Sequence, residues 1–273
     1  MKLKILLISF MPWGVGCSIA PSQPLRISTN LWIGYSPLFY IQQKGWLKEN
    51  NIKLVNVVSL SESMEMYASG FVDAFTGTQY ELKQMQNENP KLHTKILLDR
   101  SYGGDVVMGN RDIDTLKKAE SIHVYLEVDS VNSVLLDSFI AMYDIDRSVL
   151  HYIDKDPDAS SMLGMKSEPT LIVTYTPYNI GLYNNGYKVL DTTKNMQLFI
   201  MDALYIDDST AKQYADELRT LNHLIAKALD NLKQNPKEYY LTVSPFSNIK
   251  IIMHLAMHWT QYNGYIEIVA VYS

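Results

Sequence analysis

Serine and aromatic residues collect where short apolar segments of this 273-residue chain give way to helical patterns. Ser36, Ser61 and Ser130 each mark a predicted helix N-terminus, where free backbone N–H groups and the positive end of the helix dipole attract anionic groups. Each serine can equally be an ordinary helix cap. Trp32 and Tyr175 lie on predicted strand-to-helix turns, where an aromatic ring can stack on a ligand or pack against protein. These residue types indicate binding of a small polar molecule.

Carboxylates form a second group near the ends of predicted strands, at Glu81, Asp105, Glu127 and Asp129, with Arg100 as the basic residue among them. A carboxylate facing a cleft selects a ligand with an amine or a ring N–H, whereas Arg100 suits a carboxylate, sulfonate or phosphonate. Together they favour a zwitterion or an amino compound over nitrate. Solvated surface charges are the alternative interpretation.

The predicted ligand-binding set adds neighbouring residues on the same turns. A glycine between Thr76 and Thr78 permits close approach of the backbone to a ligand, or simply a tight turn. The full set is Trp32, Tyr35, Ser36, Ser61, Glu62, Thr76, Thr78, Glu81, Arg100, Asp105, Asp129, Ser130, Asn132, Tyr175 and Tyr178.

The segment 26–81 is predicted to position the first half of this set, because three apolar runs alternate with two helical patterns. The predicted strands are residues 27–33, 52–58 and 71–75. Ser36 and Pro37 open the first helix, and Ser59 with Glu62 indicates a capping box at the second. Such a βαβαβ unit has parallel strands and right-handed connections, and it binds ligands at the carboxyl ends of its strands.

Strand and helix patterns alternate on both sides of residues 105–120, which predicts two α/β lobes between which the chain crosses twice. A long amphipathic helix is predicted over residues 208–234, and shorter ones over 237–242 and 248–261. Residues 265–272 alternate like a strand, which is unexpected after a helical run.

Residues 1–20 are typical of an export signal, because two lysines precede an apolar run that is too short to span a bilayer. Residues 14–17 (GVGC) resemble the bacterial lipoprotein signal, although that motif usually has leucine where Gly14 stands. Lipidation of Cys17 and plain cleavage of the signal therefore both stay open. Cys17 is the only cysteine, so the mature domain has no disulfide, cysteine nucleophile or cysteine metal site.

Composition and motifs narrow the function classes. The formal net charge of −5, without a basic run, argues against binding of nucleic acid. The chain contains 19 tyrosines, a residue type that suits polar pockets as well as half-buried surface. His254 and His258 lie four residues apart, but the glutamate of the zinc-protease motif is missing between them. No serine-hydrolase elbow, phosphate-binding loop or dinucleotide fingerprint is present, and we expect no enzyme activity.

The order of several motifs resembles one family of binding proteins. Residues 32–40 (WIGYSPLFY), followed by 45–47 (GWL), are similar to the start of the substrate-binding proteins of ABC importers for sulfonates, taurine, nitrate and thiamine-pyrimidine precursors. Further similarities are the helix, glycine and strand of residues 64–74, the strands and aromatic turn of 171–178 and 186–190, and the helix start at 235–239. The tail after residue 248 and the cleft turns at 76–81 and 101–105 match no ligand subclass of the family.

The resemblance implies an α/β fold of the type II periplasmic binding protein kind, with two lobes, a ligand cleft between them and two hinge crossings. The implied organisation is a signal peptide (1–20), lobe 1 (21–107), lobe 2 (108–197) and a return to lobe 1 (198–273). It also implies an exported monomer of the periplasm or cell envelope, anchored through Cys17 if that residue is lipidated.

The implied function is capture of a small polar ligand, without a cofactor, for the permease subunits of an ABC importer. The ligand classes left open are amino, zwitterionic, sulfonate, phosphonate and pyrimidine-type compounds. A sensory module that informs a membrane kinase or cyclase is an alternative with the same cleft. The fold also includes fungal thiamine-pyrimidine synthases, whose site uses a cysteine-rich segment and a histidine. The single Cys17, inside the signal, disfavours that activity.

Overall fold

The computed structural model describes residues 23–246 and 271–272. Its strands are β1 (Leu25–Thr29), β2 (Ile52–Asn56), β3 (Ala74–Thr78), β4 (Leu92–Ser101), β5 (Asp105–Gly109), β6 (Ile122–Leu126), β7 (Leu150–Asp154), β8 (Thr170–Tyr175), β9 (Lys188–Thr192), β10 (Ile200–Asp207) and β11 (Val271–Tyr272). Its helices are α1 (Ser36–Gln43), α2 (Trp46–Glu49), α3 (Leu60–Ala68), α4 (Gln79–Gln86), α5 (Ile113–Leu116), α6 (Val131–Tyr143), α7 (Pro157–Ser161), α8 (Asn179–Asn184), α9 (Asp208–Gln213), α10 (Ala215–Gln234) and α11 (Pro236–Val243). The predicted signal with Cys17, the predicted helix 248–261 and residues 265–270 of the tail lie outside the described residues.

The strands form two sheets, one in each lobe. The first has six strands in the order β11-β4-β10-β3-β1-β2, and the second has five in the order β7-β6-β8-β5-β9. The chain passes from the first sheet to the second between β4 and β5, and it returns between β9 and β10. The two-lobed α/β fold with two hinge crossings is therefore confirmed. The proposed lobe boundary at residues 107 and 108 falls inside β5, a strand of the second sheet.

The opening βαβαβ unit is present, because β1 pairs in parallel with both β2 and β3. Its third strand, however, is β3 and not the predicted 71–75. Phe71 is 56% exposed, whereas Thr76 and Thr78 are buried and lie in the strand instead of a turn. The Thr76 hydroxyl donates to the Thr29 hydroxyl at 3.0 Å, which lets a polar side chain occupy a central strand.

The predicted long helix at 208–234 is two helices. Asp207 caps α9 by accepting from the backbone N–H groups of Ser209 and Thr210, and the chain leaves helical geometry at Tyr214 before α10 begins. Leu218 and Leu221 of α10 pack with α1 in the core of the first lobe. None of the described helices combines the length and apolar character needed to cross a membrane.

The end of the chain adds an edge strand to the first sheet. Val271 and Tyr272 form β11, which pairs antiparallel with Leu97 and Ile96 of β4. The prediction of a strand in the tail is confirmed for these two residues. Because β4 leads into the hinge, the tail covers an otherwise unpaired edge of a hinge strand.

Candidate functional site

A small cavity lies between the two lobes, at the carboxyl ends of β1 and β3. Its volume is about 10 Å³, close to the space that a single water needs. The lining residues are Asn30, Trp32, Leu60, Thr78 and Asp202 from the first lobe, and Asp105, Val131 and Tyr175 from the second. The lobes are therefore closed on each other in this conformation, and most of the space between them is filled by side chains.

Trp32 forms the aromatic centre of the cleft. Its ring is buried and meets the edge of Tyr175 at a centroid distance of 5.7 Å, and its Nε1–H donates to Asp99 Oδ2 at 2.7 Å. The ring fits because two neighbours lack side chains. A Cβ on Gly104 would lie 2.3 Å from the ring, and a Cβ on Gly34 would lie 1.1 Å from the Asp99 carboxylate. Trp32 thus both lines the cavity and packs the interface between the lobes.

Asn30 joins the lobes directly across the cavity. Its Nδ2 donates to the Tyr175 hydroxyl at 2.7 Å. Its Oδ1 is buried and has no hydrogen-bond partner among the described residues. A buried amide oxygen without a donor is costly, so a ligand with an N–H or O–H group would satisfy it.

Asp99 and Asp202 form a carboxyl pair behind Trp32, on neighbouring positions of β4 and β10. Asp202 accepts the Tyr35 hydroxyl at 2.6 Å. Burial raises the pKa of Asp99 to about 6, and burial together with the Asp99 charge raises the pKa of Asp202 well above its ordinary value. Two such groups share a proton at neutral pH. Placed on Asp202, that proton can be donated to the Asp99 carboxylate, whose Oδ1 has no other partner among the described residues.

Asp105 lies where the first hinge crossing enters the second lobe. Its carboxylate accepts the Ser101 hydroxyl, and its backbone oxygen accepts the Thr193 N–H of the second crossing at 3.1 Å. Burial, with the nearby charges of Asp99 and Glu81, raises the pKa of Asp105 to about 7. Asp105 therefore ties the two crossings together and presents a carboxyl group to the cavity.

Two glutamates connect the lobes through helix N-termini. Glu127, which follows β6, accepts the Ser61 N–H of α3 at 2.7 Å. In the opposite direction, Glu81 of α4 accepts the Val131 N–H of α6 at 2.8 Å. Burial raises the pKa of Glu127 to about 7 and also raises that of Glu81, although these hydrogen bonds oppose the shift. Each lobe thus places a buried carboxylate at a helix N-terminus of the other.

The structure brings much of the sequence-predicted set to this cleft. Trp32, Thr78, Asp105 and Tyr175 line the cavity. The residues one step behind it, which contact the lining or close the lobes, are Tyr35, Ser61, Glu81, Ser130, Asn132 and Tyr178. Asn132 is fully buried, and neither of its side-chain polar atoms has a partner among the described residues.

Five predicted residues lie elsewhere. Ser36 contacts the Tyr239 hydroxyl at 3.2 Å in the core of the first lobe, and Thr76 bonds within the first sheet. Glu62 accepts the Val58 N–H at the outer side of α3, and Asp129 is exposed. Arg100 lies against Phe199, its guanidinium carbon 4.8 Å from the ring centroid, and does not line the cavity.

Four important residues were absent from the predicted set: Asn30, Asp99, Glu127 and Asp202, although Glu127 was named among the acidic candidates. Asp99 and Asp202 each interrupt an apolar strand, a pattern that could have indicated them because a charged residue in such a strand is seldom buried without a role. Asn30 carried no comparable signal. The described residues contain no group of three or more histidine, cysteine or acidic side chains that could hold a metal ion.

Comparison with known proteins finds similarity in structure but not in sequence. No protein-family model matches the chain, and no curated protein matches it in sequence. Among solved structures, the alkanesulfonate-binding protein of Xanthomonas axonopodis pv. citri bound to MOPS is 13% identical, with a TM-score of 0.68 over 84% of this chain and 81% of that one. The zinc-bound ligand-binding component of an ABC-type import system from Staphylococcus aureus is 14% identical, with a TM-score of 0.66 over 82% and 79%.

A third similar structure, from Candida albicans, is described as having the generic periplasmic-binding-protein fold. It is 14% identical, with a TM-score of 0.63 over 90% of this chain and 81% of that one. At such low identity, the similarity establishes the fold and leaves the ligand to the residues of the cleft. The resemblance seen in the sequence is therefore confirmed at the level of fold: the chain is a two-lobed α/β protein with the type II periplasmic-binding-protein fold.

Proposed function

We propose that this protein is an exported solute-binding protein that captures a small amine-bearing ligand between its lobes and delivers it to an ABC importer. The fold and its similarity to importer-binding proteins support the transport role and the periplasmic location. The choice of an amine rests on one observation, the chemistry of the cavity wall.

That wall offers mainly acceptors; the Tyr175 hydroxyl, which accepts from Asn30 Nδ2, keeps its own O–H as a donor. The N–H and O–H groups of Trp32, Asn30 and Thr78 already donate to protein oxygens. Asn30 Oδ1 lacks a donor, and Asp105 and Asp202 add carboxyl groups. A ligand that brings its own N–H donors would satisfy these acceptors, and a positive charge on it would favour the ionised form of Asp105.

Aromatic groups complete this selectivity. Trp32 and Tyr175 stand edge to face in the cavity wall, so one ring face can meet a cation after the lobes open. Sulfonates, phosphonates and nitrate would face carboxylates instead. The sequence-derived ligand classes thus narrow to amino and zwitterionic compounds.

Capture requires the lobes to part, since the closed cavity holds about 10 Å³. Within the described residues, the polypeptide chain passes between the sheets only twice, at Ser101–Asp105 and near Thr193. These two crossings supply the hinge. Ligand contacts from both lobes then shift the open–closed equilibrium toward closure.

A melting screen tests the proposal. The screen compares primary amines, diamines and amino acids with sulfonates, phosphonates and pyrimidines at matched ionic strength. An amine at about 100 times its Kd adds roughly 2.7 kcal/mol to the stability of the folded state, which raises Tm clearly. A screen in which only anions without N–H groups raise Tm would reject the amine assignment.

Asp105→Asn tests whether amine binding depends on the charge of Asp105, because asparagine can still accept a hydrogen bond from the Ser101 hydroxyl but carries no charge. We expect this variant to weaken amine binding. Asp191→Asn is the matched control: Asp191 is a buried carboxylate of the second lobe that accepts the Tyr143 hydroxyl at 2.6 Å and does not line the cavity. Equal loss of binding in both variants would show a general effect on folding instead of a ligand contact.

A further inference from the structure

We propose that Glu127 and Glu81 determine the ligand specificity of this cleft by occupying, with the protein's own carboxylates, the two helix N-termini at which an anionic ligand would bind. This inference rests on the proposed solute-binding function and deepens it. It assigns a role to two buried glutamates that contact helices of the opposite lobe.

The first turns of α3 and α6 each donate a backbone N–H to a carboxylate of the opposite lobe, from the second residue of α3 and from the first residue of α6. In α3, the Ser61 N–H donates to Glu127 Oε1 at 2.7 Å and the Glu62 N–H donates to the Ser59 hydroxyl at 3.1 Å. The third N–H, of Ser63, donates to the backbone oxygen of Ser59 at 3.2 Å. The N–H groups of the second to fourth residues of α3 are therefore occupied, whereas none of these bonds involves the N–H of Leu60, its first residue.

In α6, the Val131 N–H donates to Glu81 Oε1 at 2.8 Å and the Asn132 N–H donates to the Ser130 hydroxyl at 3.2 Å. The Ser133 N–H donates to the backbone oxygen of Ser130 at 3.1 Å. In α6 these are the first three N–H groups of the helix, and again the acceptor from the other lobe is a carboxylate. Helices of nine and thirteen residues thus offer their positive ends to internal anions.

The two glutamates are not held equally. Glu81 also accepts the backbone N–H and the hydroxyl of Thr78, so both of its oxygens are fixed. The second oxygen of Glu127, Oε2, is buried without a hydrogen-bond partner among the described residues. Glu127 therefore accepts fewer hydrogen bonds than Glu81 and is the residue to remove in a test.

Charge reinforces the exclusion of anions. Glu127 and Glu81 lie close enough for each charge to disfavour the other, and Glu81 acts in the same way on Asp105. A sulfonate or carboxylate entering the closed cleft would have to displace a glutamate from a helix N-terminus while facing the remaining acidic groups. A positively charged amine would instead be attracted by these acidic groups.

The test is a gain of function. Binding of sodium ethanesulfonate is measured by calorimetry against sodium chloride of equal ionic strength, using the full chain. Wild type should show no saturable binding. Glu127→Ala frees the Ser61 N–H, and we expect saturable binding at least about tenfold tighter than the weakest affinity that the titration can detect, the factor that a hydrogen bond to a charged group supplies. The ¹⁵N–¹H signal of Ser61 should shift on titration.

Two variants distinguish the effect of freeing the Ser61 N–H from the effect of removing a negative charge. Glu127→Gln is uncharged, but its amide oxygen can still accept from Ser61, so it should gain no affinity. Glu62→Ala removes a carboxylate from the first turn of α3 without vacating the Ser61 N–H, and it should also gain none. Glu127→Ser serves as a second vacating variant if the alanine variant melts before the titration temperature.

Three results would overturn the inference: saturable binding of ethanesulfonate to wild type, no gain in either vacating variant, or an equal gain in Glu62→Ala. Failure of the amine screen on wild type is a separate result. It would remove the proposed ligand class while leaving the gain in Glu127→Ala as an independent measurement.

Discussion

Raising the pH should destabilise this protein through the carboxyl groups buried between its lobes. Burial raises the pKa of Glu127 and of Asp105 to about 7, and that of Asp99 to about 6. A carboxyl group whose folded-state pKa exceeds its unfolded-state pKa binds a proton more tightly in the folded protein. Its stabilising contribution is therefore complete below the unfolded-state pKa and disappears as the pH rises through the folded-state pKa.

The size of the effect follows from the shifts. Glu127 begins from an ordinary pKa of 4.5 and Asp105 from 3.8. One pKa unit corresponds to about 1.4 kcal/mol. Integrated from pH 5.5 to pH 8, each of these two residues removes about 2 kcal/mol from the free energy of unfolding, and Asp99 removes a little under about 1 kcal/mol. The sum is a large fraction of the roughly 5–15 kcal/mol that holds a typical domain together.

Urea unfolding followed by tryptophan fluorescence at half-unit steps from pH 5.5 to 8 measures this loss. Glu127→Gln is the decisive comparison, because glutamine has nearly the same shape and no titratable proton. The variant should lose about 2 kcal/mol less than wild type over the range. A wild-type free energy of unfolding that stays constant or rises toward pH 8 would refute the reasoning, as would parallel curves for the two proteins.

Three further predictions concern the interface, the tail and export. Gly104→Ala places a methyl group 2.3 Å from the Trp32 ring, so thermal unfolding should show that the free energy of unfolding falls by about 1–3 kcal/mol. Gly164→Ala is the control and should be neutral, because none of the described residues lies within 4 Å of the added carbon. Equal effects of the two substitutions would contradict the close packing at Gly104. Deletion of residues 269–273 removes β11 and should lower Tm modestly while leaving ligand binding intact; loss of the ligand-induced shift would show that the edge strand supports the cleft. Mass spectrometry of cell-purified protein should find the first ~16–20 residues missing, as expected for an export signal, with Cys17→Ser released in soluble form if Cys17 carries a lipid; an intact N-terminus would reject export.

Hydrophobic periodicity predicted the order of strands and helices well. The errors in their bounds have local causes. The strand at 71–75 was misplaced because Phe71 looks like a core residue, yet it is exposed beyond the turn at Gly70, while Thr76 and Thr78 are buried. Apolar patterns cannot show that threonines are buried when hydroxyl partners satisfy them. The break at Tyr214 was missed for a similar reason, since the amphipathic pattern continues across it.

The sequence predicted which residues lie near the cleft where this depends only on the ends of strands and the starts of helices. Helix starts and strand ends predicted positions near the cleft for Ser61, Ser130 and Asp105, and in the structure these residues lie at or next to the cavity. What occupies those helix ends was not predictable, because Glu81 and Glu127 reach them from the opposite lobe. Such contacts depend on how the lobes close, which no local pattern encodes.

A buried carboxylate outside the cleft shows how this fold treats an acidic group with a structural role. Asp191 has a donor for each oxygen, since Tyr143 donates to Oδ2 at 2.6 Å and the Thr192 N–H donates to Oδ1 at 2.8 Å. Glu127 is buried as deeply, yet its Oε2 has no donor among the described residues. A buried carboxylate oxygen without a donor lowers the stability of the folded state. The fold can satisfy such groups and does so at Asp191; at the cavity, the proposed amine-bearing ligand would supply the donors that the acidic groups lack.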